Sequence, residues 1–187
     1  MEAVTSVQKY LDAWEKERAH EVPGLGRFTW TTRPEKSWHV PTLELLQLMK
    51  RYSPILSVFS GLALTERGAV GQGADVICTD IKIAPNRWCQ GTPVMKVEKI
   101  RCDRAMRRYP NRNVFMAWPP FGDPSARKCA EQIKTGRKLI YVGEDWYGCN
   151  ADDSFFDLMG REFREIETLR IPRFSGINDS VVVYERL

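Results

Sequence analysis

The chain has 187 residues, 43% hydrophobic and 28% charged, with 28 Lys plus Arg against 24 Asp plus Glu for a formal charge of +4. At this length a chain buries roughly 70% of its unfolded surface and needs neither disulfides nor a structural metal; disorder, collagen-like repeats and small disulfide scaffolds are excluded. The longest nearly uncharged apolar stretch, residues 55–64, is about half a membrane-spanning helix. Glu2, Asp12, Glu15 and Glu17 interrupt any secretory signal, so the chain reads as intracellular, with no membrane partner.

The five cysteines, Cys78, Cys89, Cys102, Cys129 and Cys149, form no C-x-x-C pair, and reduced thiols are expected. Neither His20 nor His39 stands in metal-ligand spacing with a cysteine, so no metal site is expected. Trp30, Trp38, Trp88 and Trp146 fall in stretches that read as loops. Loop aromatics either cap the ends of a core or line a pocket where a flat ligand stacks, and both readings stay open.

In chain order, Val4, Val7, Leu11 and Trp14 recur at helical spacing and predict a helix to about His20. An irregular connection follows, punctuated by Pro23, Gly24, Gly26, Pro34 and Pro41. A second helix begins at Thr42 and stops near Ser53, before Pro54. Beyond it, apolar runs alternate with helical stretches, which predicts a mostly parallel sheet with helices on both faces. Strands are expected at 55–59, 75–79, 95–100, 113–118, 138–143, 165–171 and 180–184, with helices at 62–70, 103–109, 124–135 and 152–160. No helix separates the last two strands, so they are expected as an antiparallel pair at one edge. Residues 1–52 then form a helical extension packed on an α/β domain at 53–187.

Ligands of such sheets bind beyond the carboxyl ends of the strands, where strand order reverses. The first strand runs into the small-residue turn Ser60-Gly61-Leu62-Ala63, which suits either backbone approach to a ligand or close helix packing. The second ends at Asp80, nineteen positions after Gly61, where an acceptor-only carboxylate can take both ribose hydroxyls. Asp103 opens the helix after the third strand, as a cap or as an adenine-side contact. The fourth strand ends in Ala117-Trp118-Pro119-Pro120-Phe121 and the fifth in Gly143-Glu144. Paired prolines make a rigid turn able to position a substrate, and Glu144 either faces the crevice or is a solvated strand-end carboxylate.

The seven-stranded alternation with an antiparallel last strand, the turn at 60–63, Asp80 and Trp118-Pro119-Pro120-Phe121 together resemble the class I S-adenosylmethionine-dependent methyltransferases, with their Rossmann-like sheet. The resemblance covers about residues 53–187. It implies that Ser60, Gly61 and Ala63 line the methionine part of the cofactor S-adenosylmethionine, that Asp80 holds the ribose and that Asp103 lies near the adenine. Ala117 and Trp118 would flank the transferred methyl. The family's first loop reads acidic-x-Gly-x-Gly-x-Gly, where this chain has Ser57, Phe59, Gly61 and Ala63. Amine-methylating members carry Asp or Asn at the position of Trp118, whose indole is a donor only; Trp118 and Phe121 remain able to stack on a flat substrate. Should the acceptor have to lose a proton, Glu144 and Asp123 are the candidate bases.

Arg101, Arg104, Arg107, Arg108 and Arg112 crowd twelve residues. If the region is helical, positions 101, 104, 108 and 112 share a face that could follow a phosphate backbone, or they are simply solvated, as the modest net charge favours. Three functions follow: a methyltransferase with an unidentified acceptor, nucleic acid among the candidates; a methyltransferase-like binding or regulatory module without catalysis; and a basic nucleic-acid-binding protein.

Overall fold

A computed structural model describes residues 37–86 and 89–187, together with positions 8, 9, 12 and 16. The expected N-terminal helix otherwise lies outside the described residues, as do Trp30 and Trp88; the four isolated positions are helical. Seven strands form one sheet in the order β3-β2-β1-β4-β5-β7-β6. They are β1 (Ile55–Val58), β2 (Val76–Asp80), β3 (Val97–Lys99), β4 (Asn113–Ala117), β5 (Lys138–Gly143), β6 (Phe163–Leu169) and β7 (Ser180–Arg186). β1 to β5 pair in parallel, and β7 inserts antiparallel between β5 and β6. The mostly parallel sheet and antiparallel last strand are as the alternation predicts.

The helices are α1 (Leu43–Arg51), α2 (Leu64–Gly71), α3 (Cys102–Arg108), α4 (Ser125–Ala130) and α5 (Asp153–Glu162). Side chains alternate across the sheet with the period of two that a pleated strand imposes. Leu56, Val58, Val114, Met116, Leu139 and Tyr141 face α3, α4 and α5. Ile55, Phe115, Ile140 and Val142 face the other way, onto Leu45, Leu46, Leu48 and Met49 of α1 and Ala69 of α2. A Cβ on Gly68 would come within 2.8 Å of Leu46 Cδ1, so α1 and α2 pack closely at a position with no side chain. No helix of the described residues is long and apolar enough to cross a membrane.

Several boundaries differ from expectation for local reasons. β1 and β4 stop one residue early because Phe59 and Trp118 turn into the left-handed region, at φ 58° and 47°. α2 starts at Leu64 rather than 62 because Ala63, also left-handed, is its N-cap. α4 ends at Ala130, after which the backbone bonds of Gln132 and Ile133 tighten to three-residue turns. α5 runs directly into β6, which therefore begins at Phe163.

Candidate functional site

β1 lies between β2 and β4 with Val58 opposite both Thr79 and Met116. The carboxyl ends of the three strands are level, and strand order reverses between β1 and β4, the position at which ligands of open α/β sheets bind. A cavity of about 740 Å³ opens there, lined by the loop after β1, by Asp80, Asp103, Ala117 and Trp118, and by Trp38 and His39. That volume is in the range of small-molecule sites.

The cavity floor is the turn at 59–63. Phe59, Gly61 and Ala63 all adopt left-handed φ, at 58°, 51° and 57°. Two of them pay the Cβ penalty of about 1–2 kcal/mol per residue that glycine avoids. Phe59 offsets it by packing against the hydrophobic core on the α3–α5 side of the sheet. At Gly61 the close approach is enforced as well, since a Cβ would meet Cys89 Sγ at 3.1 Å. The turn is latched to the end of β2 by three hydrogen bonds: Ser60 N–H donates to the Thr79 carbonyl (3.1 Å), Thr79 N–H to Ser60 Oγ (3.1 Å), and Gly61 N–H to Asp80 Oδ2 (3.0 Å). Asp80 Oδ1 accepts from Lys82 N–H at 2.9 Å. Each carboxylate oxygen can accept a second donor. Burial raises the Asp80 pKa above its ordinary value, against the pull of those amide donors.

Under the same turn lies a group that the spacing arguments passed over. Glu66 is 3% exposed, lines the cavity, and accepts a hydrogen bond from Ser57 Oγ; Ser60 Oγ in turn donates to Ser57 Oγ at 2.8 Å. Burial pushes its carboxyl up to about 7. The helical spacing of Glu66 and Ala69, both buried, is the signal that places it on the inner face of α2. His39, also buried, joins the site from the segment before α1, with Nε2 2.8 Å from Thr65 Oγ1 and its ring edge-on to Phe115.

Trp118 leaves β4 with its indole N–H donating to Asp179 Oδ2 at 3.3 Å, and its ring meets Trp38 at a 6.1 Å centroid distance. Phe121 is 71% exposed at the rim. Asp123, also at the rim, accepts from Ser125 N–H at 2.8 Å ahead of α4.

Other expected residues are placed differently. Glu144 is buried rather than solvated and does not line the cavity; its two carboxylate oxygens accept the backbone N–H of Cys149 and of Asn178, each at 3.0 Å. Engaged in closing its own loop, it is not placed as a base for a cavity ligand. Asp103 reaches the cavity but caps no backbone amide, its carboxylate being held below its ordinary range by Arg101 (2.8 Å), with Arg107 at 3.3 Å. Trp146 packs on Phe156, away from the cavity. The arginine stripe is not one helical face, because α3 spans only Cys102–Arg108. Arg101 and Arg107 pair with Asp103, Arg108 with Glu98, and Arg112 forks onto Asp75, which leaves Arg104 alone without an ion pair among the described residues.

No protein-family model and no curated protein sequence matches this chain. Among solved structures it is similar to magnesium protoporphyrin IX methyltransferase from Synechocystis PCC 6803 with bound SAM, at TM-score 0.52 and 10% identity over 77% of each chain. It is also similar to the 1,6-didemethyltoxoflavin-N1-methyltransferase from Burkholderia thailandensis, at TM-score 0.48 and 9% identity over 77% of each chain. A third is the N-methyltransferase NodS from Bradyrhizobium japonicum WM9, at TM-score 0.47 and 13% identity over 76% of this chain and 92% of that one. By its strand order, its inserted antiparallel last strand and the first of these likenesses, the protein has the fold of the class I S-adenosylmethionine-dependent methyltransferases.

Proposed function

We propose that this protein is an S-adenosylmethionine-dependent methyltransferase whose acceptor is flat and enters past Trp118 and Phe121. The observation that carries the reading is the turn at 59–63, which keeps left-handed φ at alternate residues even where the side chains are Phe and Ala. Strain of this kind persists where the surroundings over-determine it, and three of the five left-handed non-glycine residues among the described ones line the cavity. The residues fit the cofactor: Gly61 lines the cavity without a side chain, Ser60 and Ala63 flank it, Asp80 retains acceptor capacity for ribose hydroxyls, and Asp103 stands on the adenine side. The cofactor supplies a methyl group already activated on a sulfonium. The chain's task is to orient the acceptor, exclude water and, where the acceptor carries a proton, accept it. Trp38 and Trp118 form the wall against which a flat acceptor would lie, and Asp123 and His39 are the candidate bases among the cavity's titratable groups.

Calorimetry with S-adenosylmethionine and S-adenosylhomocysteine tests the reading. Binding with a thermal upshift is expected, because a ligand that binds only the folded state stabilises it; no heat and no shift at millimolar nucleoside defeats it. Asp80→Ala should weaken binding about tenfold or more, the loss of a charge-assisted hydrogen bond.

One observation favours a second reading, a binding module without turnover. Phe59 places a benzyl group in the cavity lining where the family has glycine. If the ring obstructs the cofactor, Phe59→Gly will raise affinity for S-adenosylmethionine more than tenfold; if the turn already accepts it, affinity will stay within a few-fold. The pairing of four of the five arginines with carboxylates gives the nucleic-acid reading no such support.

A further inference from the structure

A carboxyl group as buried as Glu66, with no ion pair among the described residues and with a face on the cavity, is costly to ionise until a positive charge reaches it. We propose that Glu66 is the counter-charge for the ammonium group of the bound cofactor, taking from α2 the place of the acid that Ser57 does not supply on β1. The assignment rests on the cofactor reading above.

Three features of the chain support it. Ser57 is fully buried and faces α2, and its hydroxyl donates to Glu66 Oε1, so the carboxyl is tied to the strand position where an acid would otherwise stand. Ser60 both hydrogen-bonds Ser57 and latches the turn to β2, which couples the carboxyl to the turn that would carry the ligand. The third feature is the charge of the surroundings. β2 presents Cys78 and Asp80, the loop after it Lys82 and Cys89, and the segment before α1 His39, while α1 turns Leu45, Leu46, Leu48 and Met49 inward. Burial raises both thiols, Cys89 to about 11 and Cys78 further, so neither becomes an anion near neutrality. Asp80 disfavours a second negative charge. Without ligand Glu66 is therefore close to half protonated at neutral pH, and an arriving ammonium releases that proton.

The test is the pH dependence of nucleoside binding, measured by calorimetry between pH 6 and 8. S-Adenosylhomocysteine carries the ammonium, whereas 5′-methylthioadenosine lacks it. Affinity of the wild-type chain for the first should rise about tenfold over that interval, as expected for a group near 7 that must ionise on binding, and affinity for the second should stay flat. Glu66→Gln should abolish the rise and bind S-adenosylhomocysteine about tenfold or more weakly than wild type at pH 8, with 5′-methylthioadenosine unaffected. A rise of equal size for both nucleosides, or one that survives Glu66→Gln and so belongs to His39 or Asp80, overturns the assignment. So does a rise seen with S-adenosylmethionine alone, which would set the carboxylate against the sulfonium. Should Glu66→Gln fail to fold, Ser57→Ala serves instead. It removes a hydrogen bond that favours the charged form, and the midpoint of the S-adenosylhomocysteine profile should move to higher pH; an unmoved midpoint refutes the proposal. Flat binding of both nucleosides removes the Glu66 assignment alone, whereas binding of neither at any pH removes the cofactor reading and this inference together.

Discussion

Individual residues show most directly how similar chemistry in the sequence leads to different fates in the fold. Asp80 and Glu144 are both acids at the carboxyl end of a strand, on β2 and after β5. Asp80 turns into the cavity and latches Gly61, whereas Glu144 turns back to take the amides of Cys149 and Asn178. The end-of-strand position of each was legible. The direction of Glu144 was not, because one of its partners lies 34 residues further along the chain. Glu144→Gln should lower stability by about 1–3 kcal/mol, since an amide NH₂ then faces a backbone donor and leaves it buried and unpaired. Urea unfolding checks the loss, and hydrogen exchange should show it concentrated in residues 145–149. If stability is unchanged, the loop is not held by this carboxylate.

At the scale of elements, periodicity located each strand and helix of the sheet to within a few residues, and the errors have backbone causes. A left-handed residue cannot extend a strand or begin a helix, and nothing in the letters Phe59, Ala63 or Trp118 announces left-handed φ, because glycine is the ordinary occupant. α4 is shorter than its pattern of residue types suggested, whereas α5 keeps nearly its expected span and is capped by Asp152, which accepts from Phe155 N–H at 3.0 Å. Asp152→Ala should cost about 1 kcal/mol of stability through loss of that cap, measurable as a lower urea midpoint with an unchanged slope. The arginines divide in the same manner: their clustering was legible, while their pairing depends on Asp75 and Glu98, which β2 and β3 bring alongside. Arg112 forks onto Asp75 at 2.8–2.9 Å. The pair is half-exposed and Arg112 also donates to the Ile55 carbonyl at 3.2 Å, so Arg112→Ala should cost about 1–2 kcal/mol in the same assay, more than the loss of a fully exposed pair.

For the molecule as a whole, the buried Glu66 sets a pH dependence with a definite sign. Its folded pKa of about 7 lies above the ordinary 4.5, so the native state holds a proton that the unfolded state releases. Its contribution to stability is full below about pH 4.5 and is lost as pH rises through 7, roughly 3 kcal/mol in all. Glu66→Gln should therefore gain on wild type as pH rises from 5 to 8, reaching a plateau above 7; a constant difference between the two proteins across that range would contradict the raised pKa. Asp80, raised by burial as well, shifts stability in the same direction in both proteins, so the comparison reads Glu66 together with its repulsion by Asp80. The order of apolar and polar residues along the chain determined the seven strands, the helices between them, the mostly parallel sheet and the crevice at the carboxyl edge, because each follows from periodicity and the rules of strand connection. Tertiary structure alone decided that α1 belongs to the core of one sheet face, that Glu66 stands beneath Ser57 and that four of the five arginines pair with three carboxylates. These are contacts between segments distant in sequence, or choices of side-chain direction, and local spacing carries no record of either.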